Sequence, residues 1–146
     1  MEQVRNEPTI YSAAVYCRLS KDDEQAGESV SIETQKMMLE GFCHERGFPI
    51  YEIYADDGYS GLNFNRPAFT RLLEDIDGGK VNLVITKDLS RLGRDYIMTG
   101  HYMERYFPEH RVRYISLLDG IDTGVDSTAN DITPFRAIMN DMYAKD

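Results

Sequence analysis

The sequence has 146 residues, 42% of them hydrophobic and 28% charged, with a formal net charge of -9. That length suits one globular domain able to bury about 70% of its unfolded-chain surface, and it leaves little room for two. The acidic balance excludes long-range attraction to nucleic acid or anionic membrane, so any anionic partner has to be held by a local cationic site or by another part of the protein.

Two cysteines, Cys17 and Cys43, stand in no CxxC or Cys/His metal spacing. No apolar run approaches a membrane span, and the opening MEQVRNEPT has no apolar h-region. A reduced, cytoplasmic setting is expected. Residues 1–10 read as a flexible polar leader.

Tyr11 to Leu19 reads as a strand, followed by a charged loop, KDDEQAGES, over 21–29. Ser29 or Ser31 can cap a helix with Glu33 in its first turn, Ile32, Leu39, Phe42 and Cys43 on its apolar face, and Gly47 at its end. Pro49 to Ala55 is a second strand, and DDGYSGLNFN (56–65) is expected to be a loop. Pro67 opens a helix that buries Phe69, Leu72, Leu73 and Ile76 and stops at Gly78-Gly79.

Val81 to Thr86 is a nearly continuous apolar run, which marks a strand covered on both faces. A helix is expected from about Asp95 to Phe107, ended by Pro108, and then a strand from Val112 to Leu118. Phe135, Ile138, Met139, Met142 and Tyr143 fall at helical spacing before the sequence stops at Asp146. Strands alternating with helices predict an α/β fold with a mostly parallel central sheet and helices on both faces.

In such a sheet, ligands bind beyond the carboxyl ends of the strands. Arg18 and Ser20 lie at one of those ends and, two apart on extended chain, point to one side. An isolated RxS is ordinarily a solvated arginine and a loop-starting serine. KDLSRLGRD (87–95) places Arg91 and Arg94 three apart, side by side if they open a helix, where both could grip one phosphate and where unpaired N–H groups favour an anion. Arg66, just before Pro67, is unfavourable for a helix dipole as a mere surface cation. Gln35 sits within a turn of Ile32 and Leu39, at the edge of the buried face.

Other chemistries find less support. GGK (78–80) lacks the remainder of a Walker A loop, no GxSxG occurs, and His44, His101 and His110 stand in no relation to a nucleophile. Asp22, Asp23, Asp56 and Asp57 could bind a metal, but acidic pairs in loops are usually solvated charge.

Arg18-x-Ser20, Gln35, Arg66-Pro67 and SRLGR (90–94), in this order and on these elements, resemble the catalytic domain of the serine recombinases, the resolvase and invertase family. SIETQ (31–35), DDGYSG (56–61), RPAF (66–69) and DGIDT (119–123) extend the likeness, and KDDEQAGES with the ending NDITPFRAIMNDMYAKD is most similar to the transposon-type large serine recombinases. The resemblance implies a resolvase-like catalytic domain over residues 11–133 and, over 134–146, the start of a long dimerisation helix, truncated here with the C-terminal DNA-binding domains absent.

It further implies site-specific recombination of double-stranded DNA through a 5′-phosphoserine intermediate, without metal or ATP, by a homodimer that assembles into a synaptic homotetramer. Ser20 would be the nucleophile, Arg18, Arg66, Arg91 and Arg94 would surround the phosphate, and Gln35 would belong to the site. Many smaller relatives have aspartate where this chain has Ser90, which leaves Asp88 or Asp95 to substitute. Two rival readings remain: a metal-dependent nuclease of topoisomerase-like fold using the loop aspartates, and a non-catalytic oligomerisation module.

Overall fold

The apolar run after Ser12 forms the centre of the molecule because neither of its faces meets water. In the computed structural model, which describes residues 9–21, 23, 30–124, 137 and 140, it is strand β1 (Ala13–Leu19), followed by α1 (Ile32–Arg46), β2 (Ile50–Asp57), α2 (Pro67–Asp77) and β3 (Leu83–Thr86). Then come a short α3 (Leu89–Leu92), α4 (Tyr96–His101), β4 (Arg113–Ser116) and β5 (Ile121–Asp122). The sheet order is β2-β1-β3-β4-β5, parallel throughout except for the β4–β5 pair. The expected α/β architecture is therefore the one observed.

Side chains of β1 alternate between two cores. Ala13, Val15 and Cys17 pack with Leu39 and Cys43 of α1 on one face, whereas Ala14 and Tyr16 pack with Phe69 and Leu72 of α2 and with Leu89 and Leu92 of α3 on the other. Arg18 continues the second set by parity. Pairing of β1 with β3 runs from Ala13–Leu83 to Val15–Ile85, while pairing with β2 continues to Leu19–Asp57. The end of β1 thus overruns β3, and α3 covers the gap.

The helix ends follow local chemistry. Ser31 is the N-cap of α1, its hydroxyl accepting from the Thr34 N–H at 3.1 Å, and Gly47 closes the helix at φ 74°, where a side chain would be strained. Pro67 opens α2 as expected, but Arg66 at its N-cap supplies no capping bond. Asp56 of β2 does so instead, accepting from the N–H groups of Ala68 (2.9 Å) and Phe69 (3.0 Å).

Several expectations are corrected. Asp56 and Asp57 belong to β2 rather than to a loop, because the strand continues as far as its partner β1 does. Asp56 is 2% exposed, not solvated: besides the α2 N–H groups it accepts the Tyr16 hydroxyl at 2.7 Å. Pro108 does not end the helix after Asp95. α4 passes into a π-helical turn, Tyr102–Tyr106, in which the Phe107 N–H reaches back to Tyr102, and a last turn, Phe107–Glu109, then begins with Pro108 near its start. The change of register puts the missing N–H of proline where a new turn opens. β5 is not among the expected strands, since two residues carry no periodicity. The expected helical stripe from Phe135 to Tyr143, and nearly all of the 1–10 leader, lie outside the described residues.

Candidate active site

Arg18, buried at the end of β1, is held on all sides. Its main chain is clasped by Gln35 of α1, whose Oε1 accepts the Arg18 N–H at 3.1 Å and whose Nε2 donates to the Arg18 carbonyl at 3.0 Å and the Val30 carbonyl at 2.9 Å. The fully buried amide thus pairs with β1 much as a neighbouring strand would. The Arg18 guanidinium donates to the Arg91 carbonyl (3.1 Å), the Tyr59 carbonyl (3.1 Å) and the Ser90 carbonyl. Gly61 permits this packing: a Cβ there would stand 2.6 Å from Arg18 Nη2.

Ser20 points to the same side as Arg18, with Oγ 3.4 Å from Arg18 Nη1. Arg91 returns the contact from α3, its Nη1 donating to the Arg18 carbonyl at 2.7 Å. These groups converge on the carboxylate of Asp23. It accepts from Arg18 Nη1 (2.9 Å) and Nη2 (3.2 Å), Arg91 Nη2 (2.9 Å), Arg94 Nε (3.1 Å), the Ser20 N–H (2.8 Å) and Ser20 Oγ (2.9 Å). Three arginines and the serine thus share one small volume at the carboxyl end of β1.

The expected side-by-side placement of Arg91 and Arg94 on one helix is corrected. α3 ends at Leu92, the chain is extended at Gly93, and the Arg94 N–H donates to the Gly61 carbonyl, so the two side chains reach Asp23 from separate segments. Nor does the start of α3 offer its N–H groups to a ligand: Leu89 donates to Asp119 and Arg91 to Asp88.

Arg66 lies one layer behind. Its guanidinium donates to the Tyr16 hydroxyl (2.8 Å) and to the carbonyls of Leu92 (2.6 Å), Asn63 (3.0 Å) and Arg91 (3.4 Å), and rests 4.3 Å from the centre of the Phe64 ring. It supports the backbone that carries Arg91.

Ser90 is buried, and its hydroxyl donates to Asp88 at 2.5 Å while accepting from Arg91 Nη2 at 3.0 Å. Asp88 also meets Arg91 Nε at 3.4 Å and Lys87 Nζ at 2.7 Å, so a carboxylate two residues earlier reaches Arg91 directly and through the serine. Asp95 instead caps α4, accepting from the Met98 N–H at 2.9 Å.

The charges are set by this packing. Burial, with Arg91 and Arg66 nearby, brings the Arg18 guanidinium down to about 10 against the pull of Asp23, so it is still cationic at neutral pH. Burial also pushes the Asp23 carboxyl up, but Arg18, Arg91 and the hydrogen bonds from Ser20 and Arg94 win and hold it below its ordinary value. Burial likewise opposes ionisation of Asp88, yet Arg91, Lys87 and Ser90 hold it at about 2. The buried thiols of Cys17 and Cys43 are raised to about 12 and about 11, which suits inert core residues. All three histidines are exposed.

The residue that sequence reasoning missed is Asp23, which reads as one more solvated charge in KDDEQ. Its signal is the spacing: an aspartate three residues after a serine can turn back to that serine's N–H and hydroxyl.

Residues 13–145 match the family described as Resolvase, N terminal domain. The chain belongs to that family. The resolvase domain is similar in structure to the N-terminal catalytic domain of TP901-1 integrase, with a TM-score of 0.75 and 26% identity over 92% of this chain and 97% of that one. It is 40% identical over 81 residues to a putative DNA recombinase of Bacillus subtilis (strain 168), a match spanning 56% of this chain but 15% of that protein. It is also 35% identical over 74 residues to an uncharacterized immunity region protein 3 of Bacillus phage phi105, covering 51% of this chain and 89% of the phage protein. No helix among the described residues is long and apolar enough to cross a membrane.

Proposed function

We propose that this resolvase domain cuts and rejoins double-stranded DNA in site-specific recombination, with Ser20 as the nucleophile. The observation that carries the reading is the convergence of Arg18, Arg91 and Arg94 with the Ser20 hydroxyl on a single anion position. In the proposed step the Ser20 oxygen bonds to phosphorus, the P–O3′ bond breaks, the serine proton is lost, and the departing oxygen gains one to become a 3′-hydroxyl. The product, a 5′-phosphoserine ester, keeps the energy of the broken bond for rejoining, so no cofactor is called for.

A phosphodiester is anionic and gains charge as it is attacked, so guanidiniums fixed in place before the reaction stabilise its transition state. In this reading Arg18, Arg91 and Arg94 touch the phosphate, whereas Gln35 and Arg66 are positioning residues that hold Arg18 and Arg91 through the backbone. The residues 11–133 form the catalytic domain, and recombination proceeds in a homodimer and then a synaptic tetramer. With a net charge of -9, most DNA affinity has to come from cationic elements other than this domain's overall field.

Trapping tests this. The recombinase is incubated with DNA carrying its crossover site in EDTA, denatured and run on a gel beside Ser20→Ala. An adduct that requires Ser20 is expected; DNA cleavage that persists in Ser20→Ala, or that appears only when Mg²⁺ is supplied, would replace this reading with the nuclease one.

A further inference from the structure

We propose that the Asp23 carboxylate stands in the place of the substrate phosphate: it is an internal anion that DNA has to displace before Ser20 can react. The inference rests on the reading of this site as a phosphodiester site.

Four features carry it. The first is the donor set. Asp23 is 0% exposed and takes hydrogen bonds from Arg18, Arg91 and Arg94, which the proposed reaction aims at phosphate oxygens, and from Ser20, which it aims at phosphorus. A carboxylate and a phosphodiester each present two acceptor oxygens and one negative charge, and arginine grips both in the same forked way. Exchanging one for the other therefore leaves the count of charges in the site unchanged.

The second is the nucleophile. While Ser20 Oγ lies 2.9 Å from Asp23 Oδ2, its proton is directed at the carboxylate and the space in front of it is filled, so a phosphorus atom cannot approach in line. The third is that Arg18 and Arg91 are anchored by contacts besides those to Asp23. Arg18 Nε bonds to the Arg91 carbonyl and Arg91 Nη1 to the Arg18 carbonyl, a reciprocal pair of contacts to neutral acceptors that stays intact when the anion changes. The fourth is placement: Asp23 lies three residues beyond Ser20 and outside β1, so its carboxylate takes no part in the sheet's backbone pairing.

A purely structural ion pair makes a different prediction from an exchangeable one. In the structural case, removing the carboxylate weakens the fold and nothing is gained by any ligand. In the exchangeable case, it leaves a vacant cationic hole that captures phosphate.

The test uses this chain with Asp23→Asn and Asp23→Ala, reading unfolding temperature against inorganic phosphate concentration and binding of a short duplex DNA, with sodium chloride of equal ionic strength as control. Both variants are expected to bind phosphate and DNA at least about tenfold more tightly than the parent, because, among the described residues, three guanidiniums are then left with only the Asp88 carboxylate beside Arg91, and an added anion regains more than one tenfold step. If a variant folds only in phosphate and not in chloride, that rescue supports the proposal equally. Folded variants with unchanged or weaker phosphate affinity would overturn it, and so would variants that phosphate fails to rescue. The two readings separate cleanly: a Ser20–DNA adduct in the parent without a gain in the variants sinks the displacement alone, whereas a gain in phosphate affinity with no adduct from any form keeps the anion site and removes the recombinase reading.

Discussion

Two sets of arginine lie side by side in this domain, and their positive charges are accommodated in opposite ways. Arg66 is surrounded by neutral acceptors and aromatic faces: Tyr16 hydroxyl, the Leu92 and Asn63 carbonyls, and the rings of Phe64 and Phe69. Arg18, Arg91 and Arg94 share a single carboxylate, Asp23. Dispersed neutral contacts fix a cation permanently, because no single ligand can replace them all. A shared counter-charge is a single group that one other anion could replace, and the proposed phosphate chemistry is assigned to that set.

Substitutions can break that contrast, and the largest effect is expected at the shared site. Arg91→Ala should slow Ser20–DNA adduct formation by at least ~10²-fold, the scale for losing one preorganised charge stabiliser. Adduct kinetics within threefold of the parent would contradict its assignment to the reacting phosphate. Gly61→Ala should act next, since its new Cβ would press on Arg18 Nη2 from 2.6 Å. Roughly tenfold slower adduct formation is expected from a misplacement of this size, with DNA binding nearly retained. Binding and kinetics measured on the same sample distinguish this from a loss of folding.

On the other side of the comparison, Arg66→Lys should show itself mainly as lost stability. An ammonium cannot reproduce the fork that spans Tyr16 OH and three carbonyls, and a cost of about 1–3 kcal/mol follows from buried acceptors left unpaired. Chemical denaturation would read it directly, and a larger loss in rate per folded molecule than in Arg91→Ala would reverse the roles assigned to the two layers.

The smallest expected effect is in acid. Asp88 titrates at about 2 in the fold against an ordinary value near ~3.9, so its contribution is present above that ordinary value and is lost as pH falls from there toward 2. Asp88→Asn should flatten the decline in unfolding temperature across this window; an identical pH profile would show that the Asp88–Ser90–Arg91 contact does not stabilise the fold.

Much of the frame was legible because it is local. Ser31 and Gly47 mark the ends of α1 by their own chemistry, Pro67 opens α2, and the Leu83–Thr86 strand is apolar because both its faces are covered. The apolar run before them placed Arg18 and Ser20 at a strand end, and parity placed them on one side of it. The parts that were not legible depend on distant partners. Whether Asp56 is loop or strand depends on how far β1 extends beside it, and its capping bonds go to residues 12 and 13 positions away. The π-helical turn at Tyr102–Tyr106 changes hydrogen-bond register without a change in apolar spacing that the sequence would reveal.

Asp23 is the clearest case. Its neighbours in sequence are charged and polar, and only its spacing of three from Ser20 sets it apart from Asp22. Its identity as the common counter-ion appears only when residues 18, 91 and 94 are brought within hydrogen-bonding distance of it. The site was thus readable as a set of cations before it was readable as an arrangement around an anion.

The most direct test of the central claim is to find which atom becomes bonded to DNA. The resolvase-domain protein would be incubated in EDTA with DNA bearing the proposed crossover site, denatured, digested with nuclease and protease, and the peptide spanning residues 14–23 examined by mass spectrometry. A nucleotide joined through its 5′-phosphate to Ser20 is the result predicted here. Cleaved DNA whose only covalent attachment is to another residue, or to none, would contradict it.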